Sequence, residues 1–205
     1  MAKKAESTLL NMVLVLTIIA VVTAAALAFL NNVTKGPIAD AKKAKTEAAV
    51  KEVLPPEIGD VKPVKDSVKI KFDGDKDMST VYCYIVKDDN DELIGVAVES
   101  STEKGFSGHL GVMVGFDAEG NITGYNVLET QETPGLGSKA GEWFQKDGKG
   151  CVIGKNPATN KMTVVKDGGE VEAITAATIS SRAFCDAIDR AYKAFNKVKG
   201  GTDNE

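Results

Sequence analysis

The alternation of apolar and polar positions changes character three times along the chain. Leu9 to Leu30 is a near-continuous apolar run, interrupted only by Asn11, Thr17 and Thr23, with no charge between Glu6 and Lys35. As a helix rising ~1.5 Å per residue, the run reaches ~33 Å, enough to cross a hydrocarbon core of ~30 Å. Lys3-Lys4 in front of it and Ala26-Leu27-Ala28 near its end also fit a cleavable signal peptide. The run is longer than the ~7–15 residues of a signal core, so an uncleaved transmembrane helix over residues 9–30 is predicted, behind a short segment, residues 1–8. Lysines flank both ends, and charge bias leaves its orientation open.

Gly36-Pro37 predicts the end of that helix and the start of another, because proline suits a first helical turn. Residues 37–55, rich in Ala, Lys and Glu, predict a stalk helix that Pro55-Pro56 stops. From about Val61 to Val165 the pattern turns to strands. Thr80–Lys87 and Glu92–Glu99, linked by Asp88-Asp89-Asn90-Asp91, predict one hairpin. Leu110–Phe116 and Ile122–Leu128, linked by Asp117-Ala118-Glu119-Gly120-Asn121, predict a second. A short helix over Lys139–Gln145 and a short strand over Lys161–Val165 follow, the latter before a turn at Lys166-Asp167-Gly168-Gly169. Ile179, Ala183, Phe184, Ala187, Ile188, Ala191, Tyr192 and Phe195 then recur at helical spacing. Gly200-Gly201 ends this last helix, and residues 200–205 read as a frayed tail. The fold class is α+β: a single N-terminal transmembrane helix, then one domain over residues 56–199 of antiparallel strands with flanking helices.

Composition narrows the chemistry. A net charge of -4 with no basic cluster argues against a nucleic-acid partner. His109 is the single histidine, which excludes a multi-histidine metal site. Cys83, Cys151 and Cys185 form no C-x-x-C pair, so neither an iron–sulfur cluster nor a zinc ribbon is predicted, and they read as small apolar residues.

Two segments carry candidate chemistry. Glu132-Thr133-Pro134-Gly135-Leu136-Gly137 lies between a strand and a helix; its glycines serve either a sharp turn or close backbone approach to a flat ligand. Ile174-Thr175-Ala176-Ala177-Thr178-Ile179-Ser180-Ser181 opens the last helix. Its hydroxyls serve either as helix caps or, with the positive end of the helix dipole, as a place for phosphate, free or covalently linked.

Together these segments, behind one anchor helix, resemble the FMN-binding-domain family: the G subunits of Rnf electron-transport complexes and, as an alternative, the C subunits of sodium-pumping NADH:quinone reductases. Thr175-Ala176-Ala177-Thr178 matches the family's [S/T]-G-A-T motif, with Ala176 replacing the usual Gly, while Glu172 stands where Asp is usual. Glu132–Gly137 matches its E-T-P-G-L-G stretch. Gly105-Phe106-Ser107-Gly108 and Val112-Met113-Val114-Gly115-Phe116-Asp117 match a further run typical of the family. The resemblance implies FMN linked covalently by a phosphoester to Thr178, with Ser180 and Ser181 as competing hydroxyls. It implies a flavin site of Glu132, Thr133, Gly135, Leu136, Gly137, Thr175, Ala176, Ala177, Ile179 and Ser180, with Trp143 a further neighbour or simply a core residue. It also implies an electron relay rather than a stand-alone catalyst, within a complex moving electrons between ferredoxin and NAD and coupled to Na⁺ or H⁺ movement. Its partners are then the other Rnf subunits and a maturing flavin transferase, and its flavin domain lies on the periplasmic, outer face of the inner membrane. The rival from another class is an anchored scaffold without a cofactor.

Overall fold

The computed structural model describes residues 8–55, 62–73, 77–88, 90 and 92–200. Residues 1–7 of the expected leading segment, Pro56, Asp89 and Asp91 of the first hairpin link, and the tail from Gly201 lie outside the described residues. The chain divides after Ala44 into two compact units.

Helix α1 (Leu9–Val53) supplies all of the described part of the first unit after Thr8, and its last turns belong to the second. The break expected at Gly36-Pro37 is absent, and the helix runs through Pro37. A proline inside a helix removes one hydrogen bond and costs about 3 kcal/mol. Helix-forming residues on both sides, rich in Ala, Leu, Lys and Glu, carry the helix through that local cost. The large apolar side chains from Leu9 to Ile38 are exposed. Thr17, Thr23 and Thr34 turn their hydroxyls onto the carbonyls of Val13, Ile19 and Leu30, each at 2.8 Å. This helix is long and apolar enough to cross a membrane.

The second unit is built on a five-stranded antiparallel sheet whose spatial order follows the sequence. Its strands are β1 (Val64–Ile70), β2 (Ser79–Lys87), β3 (Leu93–Thr102), β4 (Leu110–Asp117) and β5 (Ile122–Thr130). Helix α2 (Ala140–Trp143) follows a single 3-10 turn at Gly137–Lys139, and helix α3 (Thr178–Lys199) closes the domain. The α+β architecture read from the sequence is therefore the observed one.

Period-two alternation sends β-strand side chains to opposite faces, and each face has its own cover. On one face α3 buries Ala183, Phe184, Ala187, Ile188, Ala191 and Phe195 among Val98, Val112, Val114, Phe116 and Tyr125. Phe184 stacks on Phe144 with ring centroids 4.1 Å apart and meets Tyr125 edge-on at 4.8 Å. On the other face Ala49, Val50 and Val53, the end of α1, pack on Val86, Ala97, Met113 and Leu128. The approach is close: a Cβ at Gly115 would fall 2.0 Å from the Val53 carbonyl oxygen. Thr123 Oγ1 donates to that same oxygen at 2.6 Å.

Two local expectations need correction. Lys161–Val165 is not a strand; an isolated bridge, Val164 to Val171, replaces it. The chain turns back through Val165–Asp167 and pairs with itself, so the segment never reaches a sheet edge. The helix expected over Lys139–Gln145 is confined to Ala140–Trp143, because from Phe144 the backbone carbonyls and N–H groups turn to loop partners such as Val152.

Candidate functional site

Three segments far apart in sequence meet at the start of α3. They are the Gly105–Gly108 loop between β3 and β4, the Glu132–Gly137 segment after β5, and residues 176–180. Together they line a cavity of about 310 Å³. Phe106, Leu136 and Ile179 give it an apolar rim, being 67%, 40% and 46% exposed, whereas Glu132 and Ser180 are buried in its wall.

Backbone geometry makes the meeting possible. Gly135 has φ 77°, a region that L side chains disfavour, and this bends the segment before Leu136. At Gly137 a Cβ would lie 2.5 Å from Ser180 Oγ and 2.6 Å from Glu132 Oε2, so only hydrogen lets the two segments touch. Among the described residues, Ala176 alone is a non-glycine at positive φ, 61°.

The hydroxyls of this helix start differ in what they do. Ser181 is fully buried; its Oγ accepts from the Ile174 N–H at 2.9 Å and donates to the Ala177 carbonyl at 3.0 Å. Ser180, also buried, donates to Glu132 Oε2 at 2.7 Å. Thr178 is half-buried on the cavity wall, and its hydroxyl makes no hydrogen bond among the described residues. Nor, among the described residues, does a side chain cap the helix: Ala177 occupies the N-cap without a side-chain hydrogen bond. Capping, the plain reading of these Thr and Ser residues, is thus not their role. The first-turn N–H groups lack a side-chain acceptor, and the turn holds no acidic residue to offset the dipole.

The model of the FMN-binding domain matches residues 105–193, from the Gly105 loop into α3. The G subunit of the Na⁺-translocating ferredoxin:NAD⁺ oxidoreductase complex of Acetobacterium woodii is 31% identical over 188 residues, covering 90% of each chain. The G subunit of the ion-translocating oxidoreductase complex of Aliivibrio fischeri is 32% identical over 185 residues, covering 87% of this chain and 86% of that one. Its counterpart in Erwinia tasmaniensis is 29% identical over 179 residues, covering 85% and 84%. The chain belongs to the family of G subunits of ion-translocating oxidoreductase complexes.

Within this family member, Glu132, Thr133, Leu136, Gly137, Ala176, Ala177, Thr178, Ile179 and Ser180 all line the one cavity, as the sequence had grouped them. Gly135, Thr175 and Trp143 do not line it. Gly135 acts on the bend, and its N–H donates to Ser138 Oγ at 2.9 Å. Trp143 directs its indole N–H to the Glu172 carbonyl at 2.9 Å and packs against the core. Phe106 is the lining residue that sequence reasoning did not single out. Its signal was there: a large aromatic between two loop glycines has little chance of burial. Two of the cysteines, Cys83 and Cys185, are buried away from such chemistry. Burial, reinforced by nearby carboxylates, pushes the thiols of Cys83 and Cys185 up to about 12, where the reactive thiolate is scarce.

Proposed function

We propose that this chain is the membrane-anchored flavoprotein subunit of an ion-translocating ferredoxin:NAD⁺ oxidoreductase, relaying electrons through FMN esterified to Thr178. The carrying observation is the contrast among the hydroxyls: Ser180 and Ser181 are buried and engaged, while Thr178 faces the cavity unengaged. When bound, FMN supplies the redox chemistry, and the protein supplies attachment, orientation and electrostatics.

The residues present suit that group. Phe106, Leu136 and Ile179 offer apolar surface to a flat ring. A phosphodiester on Thr178 keeps one negative charge at the uncapped start of α3, where the dipole favours it by ~0.3–1 kcal/mol. That is too little to retain an exchangeable ligand in a cavity at the small end of the usual ~300–1,000 Å³ range, so a covalent tether fits the geometry. The names of the relatives support partnership with other subunits of a membrane complex. In this reading residues 9–30 anchor the chain in the inner membrane, the flavin domain lies on the periplasmic face, and a flavin transferase completes it.

The test is a denaturing gel of protein isolated from its own membrane, viewed under ultraviolet light. A fluorescent band that survives unfolding, and that Thr178→Ala removes, is expected. Peptide mass mapping that placed FMN on Ser180 or Ser181, or found none, would overturn the assignment.

A further inference from the structure

The wall of the flavin cavity contains a carboxylate that no cation neutralises. Glu132 is buried, 6% exposed, and among the described residues it forms no ion pair. Oε2 accepts the Ser180 hydroxyl at 2.7 Å, and Oε1 accepts the Ser107 N–H at 3.3 Å. The same carboxylate is in close approach to two glycines: a Cβ at Gly105 would fall 2.3 Å from Oε1, and one at Gly137 would fall 2.6 Å from Oε2. One side chain thus ties together all three segments that form the cavity. Both its oxygens take part in hydrogen bonds.

Burying such a group needs a return, since an unpaired charge is costly to remove from water. A glutamine could keep both partners without a charge, its oxygen accepting from the Ser107 N–H and its amide donating to a turned Ser180 hydroxyl, so hydrogen bonding alone does not call for glutamate. We infer that Glu132 is a positioning residue that also sets the flavin's potential: its charge holds the three walls in register and makes the bound flavin harder to reduce. This rests on the flavin reading above. An electron entering the ring without a proton adds one negative charge, and a fixed negative charge on the cavity wall opposes that addition. The N-terminus of α3 contributes roughly half a positive charge, less than the full charge of one carboxylate, and the phosphodiester draws on the same end. The balance at the site is negative.

The experiment is a spectroelectrochemical titration of the full-length protein in detergent, with dithionite as electron donor and the midpoint read per flavin bound. Glu132→Gln is expected to move the midpoint positive of wild type. Glu132→Asp, which keeps the charge but shortens the reach, is expected to stay near the wild-type midpoint while its Tm falls. A Glu132→Gln midpoint at or below wild type overturns the inference. Should Glu132→Gln carry no flavin, Ser180→Ala decides: losing the donor that screens the carboxylate should move the midpoint negative, and no shift or a positive one overturns the inference. Wild-type protein without flavin would instead be a failure of the flavin reading. The positioning role would then stand or fall on melting, with an unchanged Tm in Glu132→Ala overturning it.

Discussion

The stretch from Val64 to Thr130 and the stretch from Gln131 to Ala177 belong to one domain but are held by different means. The first is a ladder in which each strand pairs with the next, its register shifting only at Val86/Lys87, Gly111/Val112 and Gly115/Phe116 among the described residues. The second, among the described residues, has a four-residue helix, two 3-10 turns and one bridge. Side chains substitute for the ladder there: Tyr125 Oη donates to the Ala140 carbonyl at 2.7 Å, Gln145 to the Tyr125 carbonyl at 3.1 Å, and Trp143 to the Glu172 carbonyl at 2.9 Å. A ladder admits few backbone conformations, whereas a side-chain-braced loop tolerates φ 77° at Gly135 and 61° at Ala176. Regular pairing therefore belongs to the sheet, and the site is built where loops meet it: the Gly105–Gly108 loop, the bent Glu132–Gly137 segment and the first turn of α3. Substitutions should separate the two.

The widest separation is expected at Thr178. Thr178→Ala should abolish covalent flavin completely while changing unfolding free energy by less than about 0.5 kcal/mol, because the hydroxyl has no partner to lose. In-gel fluorescence and urea denaturation read the two quantities. A large loss of stability would show that the hydroxyl serves the fold.

Phe184→Ala tests the opposite side. The ring is fully buried between Phe144 and Tyr125, and its removal leaves a cavity. A loss of about 3–5 kcal/mol is expected, seen as a lower urea midpoint. Flavin loading should fall only as far as folded protein is lost. Reduced loading on protein that remains folded would show that the core beneath α3 also shapes the site.

The two regions were also unequally legible. Alternation over β2, the continuous apolar run of β4 between turn residues and three–four spacing over α3 report burial directly, so those elements could be read from one sequence. β1 was less distinct because most of its side chains are exposed and leave little alternation to see. Lys161–Val165 has strand-like residues but no edge to join, and partners are a tertiary fact. The continuity of α1 through Pro37 likewise depends on the whole helix, not on the local dipeptide. At the site, motif resemblance gathered the cavity residues, yet it could not show which hydroxyl was free. That required the positions of Glu132, Ile174 and Ala177 around Ser180 and Ser181.

Gly137→Ala sharpens the boundary between the regions. The added methyl meets both Ser180 Oγ and Glu132 Oε2 inside van der Waals contact. Overpacking of this kind costs about 1–3 kcal/mol, and here the movement that relieves it must open the flavin cavity. Lower flavin occupancy together with moderate destabilisation is expected, read by absorbance per protein and by denaturation. Unchanged occupancy would mean that the segment is a turn and nothing more.

The smallest effect is expected at Ala176, and its sign is informative. An L residue in the left-handed region pays roughly 1–2 kcal/mol, and glycine avoids that strain. Glycine also gives the unfolded chain more freedom, which removes roughly 0.4–1 kcal/mol of the gain. Ala176→Gly should therefore stabilise the domain by about 0.5–1 kcal/mol, as a higher urea midpoint with an unchanged slope. Ala176→Val should do the reverse, since a β-branched residue fits this region least well. The side chain is exposed, so packing does not confuse the comparison. If glycine destabilised and valine were neutral, the bend ahead of Thr178 would not be strained, and the alanine here would have no conformational cost to explain.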